Sequence, residues 1–104
     1  MNELINRILK FRDNRNWKQF HTPENLAKSI SIEAAELLEN FQWNNEMNLE
    51  AVTDELADVM NYCILMADAI GVDLIQAMNQ KIDKNEQKYP IEKAKGVSTK
   101  YTDL

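Results

Sequence analysis

Glycine and proline are scarce, with two of each in 104 residues, where average usage of about 7% and 5% would supply several times as many. That shortage excludes turn-rich β-sandwiches, collagen-like repeats and Pro/Gly-rich disorder, and leaves helices as the expected content. A single cysteine, Cys63, excludes an internal disulfide and any multi-cysteine zinc site; buried packing is its expected role. Positive charge is also in deficit, 12 basic residues against 17 acidic ones for a net charge of −5. A broad cationic face for a nucleic-acid polymer is thereby excluded, and a small anionic substrate would need a local countercharge. The longest fully apolar run, Tyr62 to Ala67, falls far short of the roughly 18 residues of a membrane span. The opening Met1-Asn2-Glu3-Leu4 lacks the basic and apolar segments of a secretory leader, so the expected location is cytoplasmic.

What is present suits one compact domain over 1–104: 44% hydrophobic and 28% charged residues allow a core and a solvated exterior. Leu4, Ile5, Ile8 and Phe11 follow helical spacing and predict a first helix that ends in the polar stretch Arg12 to Asn16. Thr22-Pro23 predicts the start of a second, since threonine caps and proline fits the first turn. Its stripe of Leu26, Ile30, Ala34, Leu37, Leu38 and Phe41 stops near Trp43, and the Asn44-Asn45 pair predicts a loop. A third helix runs from about Asn48 to Gly71, apolar almost all round in its later turns, which implies burial between helices or between subunits. Asp73 caps a fourth that ends by Tyr89, because Pro90 disfavours helical geometry before it. From about Ile91 the chain is expected to be a polar tail. The fold class is all-α, a four-helix bundle.

Two carboxylate pairs carry the chemistry, Glu33 with Glu36 on the second helix and Glu55 with Asp58 on the third, each three positions apart. That spacing stacks side chains on one face, so each pair can converge on a point. At about 100° per residue, Glu33 borders the apolar stripe and Glu36 lies about 60° further round, whereas Glu39 points away. Tyr62 shares the sector of Glu55 and Asp58. Four carboxylates cannot all stay ionised near a core, because each raises the proton affinity of the others. A hard divalent cation resolves the conflict; oxygen-only ligation favours Mg2+ or Mn2+, and Mg2+ commonly recruits phosphates. Acid pairs that merely decorate solvated faces are the competing reading. A di-iron bundle is excluded, since the one histidine, His21, lies in a loop. Trp17 and Trp43 offer faces for base stacking or, equally, anchors for packing. Lys81 and Asn85, four apart on the fourth helix, can reach phosphates or simply face solvent.

The acid pairs, with Trp17-Lys18-Gln19-Phe20-His21, Phe41-Gln42-Trp43, Asp54-Glu55-Leu56-Ala57-Asp58-Val59, Lys88-Tyr89-Pro90 and Lys100-Tyr101-Thr102-Asp103-Leu104, resemble the MazG-like all-α nucleotide pyrophosphohydrolases, and among them most the dCTP pyrophosphatase branch. The resemblance covers about Phe11 to Leu104. It implies that Glu33, Glu36, Glu55 and Asp58 hold magnesium, that Trp17 to His21, Trp43 and Tyr62 line a nucleotide pocket, and that a nucleoside triphosphate is cut to monophosphate and pyrophosphate. It also implies dimers, or tetramers built from dimers. The chain departs from the pattern in having Ile32 where many relatives carry a glutamate, Ile8 where animal dCTP pyrophosphatases carry a histidine, and a shorter loop between Trp43 and Glu55.

Together these readings lead to a Mg2+-dependent hydrolase of deoxynucleoside triphosphates, with Glu33 as base, working as a homotetramer or dimer in nucleotide-pool house-cleaning. Leu65, away from the main apolar stripe, is expected at the subunit interface. A noncatalytic helical partner-binding module and a nucleotide sensor without turnover are the other classes considered.

Overall fold

The computed structural model describes residues 2–43 and 45–104. Among these, every regular element is helical: α1 Asn2–Asn14, a 3-10 helix Trp17–Phe20, α2 Pro23–Glu39, α3 Leu49–Ile70, α4 Leu74–Lys88, α5 Ile91–Ala94 and a closing 3-10 helix Tyr101–Asp103. The all-α expectation holds, with α5 in addition to the four helices expected. Among the described residues no helix is long and apolar enough to cross a membrane.

The helix boundaries follow from capping chemistry. Thr22 takes extended backbone and its hydroxyl accepts from the Asn25 amide at 3.1 Å, satisfying a donor that the first turn leaves open, with Pro23 at the first helical position. Asn48 and Asp73 do the same for α3 and α4 through the amides of Ala51 and Gln76. Gly71 closes α3 at φ 74°, a left-handed conformation that a side chain would strain. Asn44, half of the pair expected to mark the loop after α2, lies outside the described residues; Asn45 is in a bend.

Packing separates the chain into two compact units, Met1–Val72 and Asp73–Leu104. In the first, α2 and α3 pack most extensively, and α1 lies against α3. The deepest side chain is Leu26, 1% exposed, joined in the core by Ile64, Leu65 and Ala67. Much of the expected stripe of α2 is left uncovered, with Ala34 exposed and Leu38 at 70%. Cys63 is half-buried rather than fully packed. Leu65 is 9% exposed and belongs to the core of this unit, so the expectation that it meets its counterpart at a subunit interface is corrected.

α1 also outlasts its apolar pattern. It continues to Asn14 because Arg12, read from sequence as the start of a polar stretch, is 5% exposed and bonds Asp68 on α3 at 2.6 Å through Nη1. In the second unit α4 ends before Pro90, whose carbonyl then accepts from Lys93 and Ala94 to start α5. The stretch expected as a polar tail turns back locally. Tyr101 meets Tyr89 edge to face at 5.9 Å and lies under the Lys88 ammonium at 4.8 Å.

The Thr22 cap yields a direct test. Thr22→Ala should cost about 1 kcal/mol of unfolding free energy in urea titration, and Thr22→Ser far less, because serine retains the accepting oxygen.

Candidate active site

The acid pairs meet where α2 packs on α3. Glu33, Glu55 and Asp58 each bring one carboxylate oxygen within 4.8 Å of the other two. Glu33, Glu36 and Glu55 are half-buried, Asp58 is exposed, and Glu39 faces solvent. Oε2 of Glu33 and Oε2 of Glu55 are buried without a hydrogen-bond partner. Burial first, then the neighbouring Glu36 carboxyl, then the charges of Asp58 and Glu55 push the pKa of Glu33 up to about 7. Glu55 is raised for the same reasons, burial first and the Glu36 charge next. Orphaned acceptor oxygens with raised proton affinity are what a cation would relieve, so the donor set suits a divalent metal.

Glu33 and Asp58 also line a cavity of about 530 Å³, within the common range for small-molecule pockets. From α3, Asp58, Asn61, Tyr62 and Leu65 face it, positions that recur on one side of a helix. Leu4, Arg7, Ile8, Phe11 and Arg12 form the wall from α1, and Trp17 and His21 complete it. Phe11 and Trp17 pack edge to face at 5.7 Å, and the Arg15 guanidinium lies 3.7 Å from the Phe11 ring centre. Burial, then the Arg12 charge, lowers the pKa of His21; its Nδ1 is buried and unpartnered. A neutral imidazole therefore faces the cavity near neutral pH.

Of the segment Trp17 to His21, then, the structure brings Trp17 and His21 to this cavity. Lys18 and Gln19 instead border a separate shallow depression with Asp13 and Asn16, where the Gln19 amide is held by the Asn16 carbonyl at 2.8 Å. Phe20 is exposed, and Trp43, on the loop after α2, is 89% exposed. Lys81 and Asn85 are exposed on α4 in the second unit. Sequence reasoning missed most of the α1 wall because Leu4 and Phe11 read as ordinary core, although Ile8 was singled out as a departure from the animal dCTP pyrophosphatases. Asn61 and Leu65 had a usable signal, their helical register with Asp58 and Tyr62.

The sequence model of the MazG-like family matches residues 28–104. The chain belongs to the MazG-like family. It is similar to dCTP pyrophosphatase 1 of Mus musculus, 38% identical over 105 residues, and to that of Homo sapiens, 36% identical over the same length. Each match covers 91% of this chain but 62% of the mammalian protein. Among solved structures it is similar to a pyrophosphatase from Archaeoglobus fulgidus, with TM-score 0.78 and 44% identity over 86% of this chain and 92% of the other.

The raised Glu33 sets a pH dependence. Between its ordinary 4.5 and about 7 the folded state holds more protons than the unfolded one, so the stability of metal-free protein should fall as pH rises through that window. Glu33→Gln should flatten the fall, and added Mg2+ should stabilise more at pH 8 than at pH 5, because protons compete for the same oxygens. Urea titrations across this range read both effects; equal slopes in wild type and Glu33→Gln would remove Glu33 as the titrating group.

Proposed function

We propose that this chain is a Mg2+-dependent nucleoside triphosphate pyrophosphohydrolase, acting on dCTP or a related deoxynucleoside triphosphate and serving to clear the nucleotide pool. The observation that carries this reading is the meeting, in one cavity, of carboxylates that need a cation with aromatic faces that suit a base. The pyrophosphatase names of the mammalian and archaeal relatives support it.

In this reading Glu33, Glu36, Glu55 and Asp58 hold the ion, Mg2+ first and Mn2+ as the other hard ion the oxygens suit. When bound, it supplies the positive charge that offsets the phosphates and steers them to the acid cluster. Trp17 and Tyr62 orient the nucleoside, the tryptophan by stacking. Glu33, which lines the cavity beside Asp58, accepts a proton from the attacking water. The water oxygen bonds to the α-phosphorus as the bond to the bridging oxygen breaks, so pyrophosphate leaves whole.

The whole of 1–104 acts as one catalytic domain, which the span of the family match from within α2 through the second unit supports. Exposed apolar side chains such as Trp43 and Leu38 suit burial by another copy, in a homotetramer or a dimer. Across such an interface Trp43, Lys18, Gln19, Phe20, Lys81 and Asn85 are the further contacts proposed for the nucleotide. The cytoplasm, where free nucleotides are, is the proposed place of work. Light scattering should report four times the 12.1 kDa chain mass, or twice it; a fully active monomer would end the shared-site reading.

Incubation with the four dNTPs and Mg2+, with products resolved by chromatography, tests the reaction. Monophosphate with pyrophosphate supports it; diphosphate with phosphate places the attack elsewhere, and binding without turnover favours a sensor. Glu36→Gln and Asp58→Asn should each abolish turnover with unchanged helicity, whereas Glu39→Gln should retain wild-type rates. Activity within twofold of wild type in both cluster variants would break the assignment.

A further inference from the structure

Arg12 ties α1 to α3 and also reaches the cavity. It is 5% exposed, yet it lines the 530 Å³ cavity beside Phe11. Its Nε donates to Asp13 at 2.9 Å and its Nη1 to Asp68 at 2.6 Å. A guanidinium carries five N–H donors in a fixed fork, and those two bonds leave three unspent. Among the described residues Nη2 makes no hydrogen bond. Nη2 is not among the buried unpartnered atoms, so it keeps an accessible edge at which a ligand can supply an acceptor.

Charge narrows the choice of acceptor. One guanidinium between two carboxylates leaves the Asp13–Arg12–Asp68 group with a net negative charge, which repels a phosphate and leaves neutral acceptors as the better match. In the nucleotide reading the acid cluster takes the phosphates through its cation. The base is then left to the aromatic wall, where Phe11 adjoins Arg12 and packs on Trp17. A projecting carbonyl oxygen, with two lone pairs, is the neutral acceptor a base offers there.

We infer that Arg12 is a specificity-determining residue that donates to an exocyclic carbonyl of the base, so that the pocket takes oxo-bearing bases in preference to adenine. Adenine has no exocyclic oxygen; its 6-amino group is itself a donor and its ring nitrogens are recessed. Bound adenine offers the spare Arg12 donors no projecting acceptor, and a site built to hydrogen-bond one group rejects the analogue that lacks it. This inference rests on the nucleotide-pocket reading but not on catalysis.

The test is calorimetric titration of wild-type protein, with Mg2+, by dCMP and by dAMP, alongside turnover of dCTP measured separately. Wild type should bind dCMP at least tenfold more tightly. In Arg12→Met combined with Asp68→Leu, an apolar pair that spares the fold an unpaired charge, the ratio should fall below threefold, mainly through lost dCMP affinity. Arg12→Lys, which keeps the charge without the fork, should lose most of the preference too, and it decides the matter if the double variant does not fold. A preference retained in these variants overturns the inference, as does equal loss for both nucleotides, which would make Arg12 a brace between α1 and α3. Wild type that binds the two alike, or neither, overturns it as well. Preferential binding of dCMP without dCTP turnover sustains the role of Arg12 and refutes the pyrophosphohydrolase reading instead.

Discussion

Mutual repulsion among the carboxylates between α2 and α3 is the constraint to which the first unit is built. Three of them bring oxygens within 4.8 Å of one another, and two of those oxygens are buried without partners. Such a cluster destabilises the helix pair unless protons or a cation occupy it, so the packing that holds the fold together also stores an affinity for positive charge. The repulsion within this helix pair and its suitability for a divalent cation have one origin.

That conflict is set in a thin core. Among the described residues, Leu26, Ile64, Leu65 and Ala67 are the buried apolar side chains of the first unit, and α1 adds a polar tie through Arg12 and Asp68. A helix held by an ion pair as well as by apolar burial can leave part of its apolar stripe open to a cavity. Leu4 and Phe11 stay half uncovered for that reason, and they become walls of the pocket instead of core. Phe11 is then braced by Trp17 and Arg15, which gives the pocket a preformed aromatic side.

Membership of the MazG-like family and the site geometry are independent supports for the functional reading. The family match runs from residue 28, within α2, to 104, whereas the α1 wall, with Arg12 and Phe11, precedes it. The acid cluster lies within that span together with Asn61, Tyr62 and Leu65 of the cavity, and the matches to the mammalian relatives, over 91% of this chain, take in Phe11 and Arg12 of the α1 wall as well.

Helices, caps and acid pairs were legible in the sequence because each depends on neighbours a few residues apart. The Thr22 and Asn48 starts, the Gly71 stop and the three-residue spacing of Glu33–Glu36 and Glu55–Asp58 are all of this kind. Tertiary structure alone decided what lies across space. It buried Leu65 in the core beside the cavity, left Trp43 in solvent and turned Arg12 from a helix-ending polar residue into a buried tie lining the cavity. The partner of Arg12 is 56 positions away, and periodicity within one helix carries no information about which other helix will cover a given face.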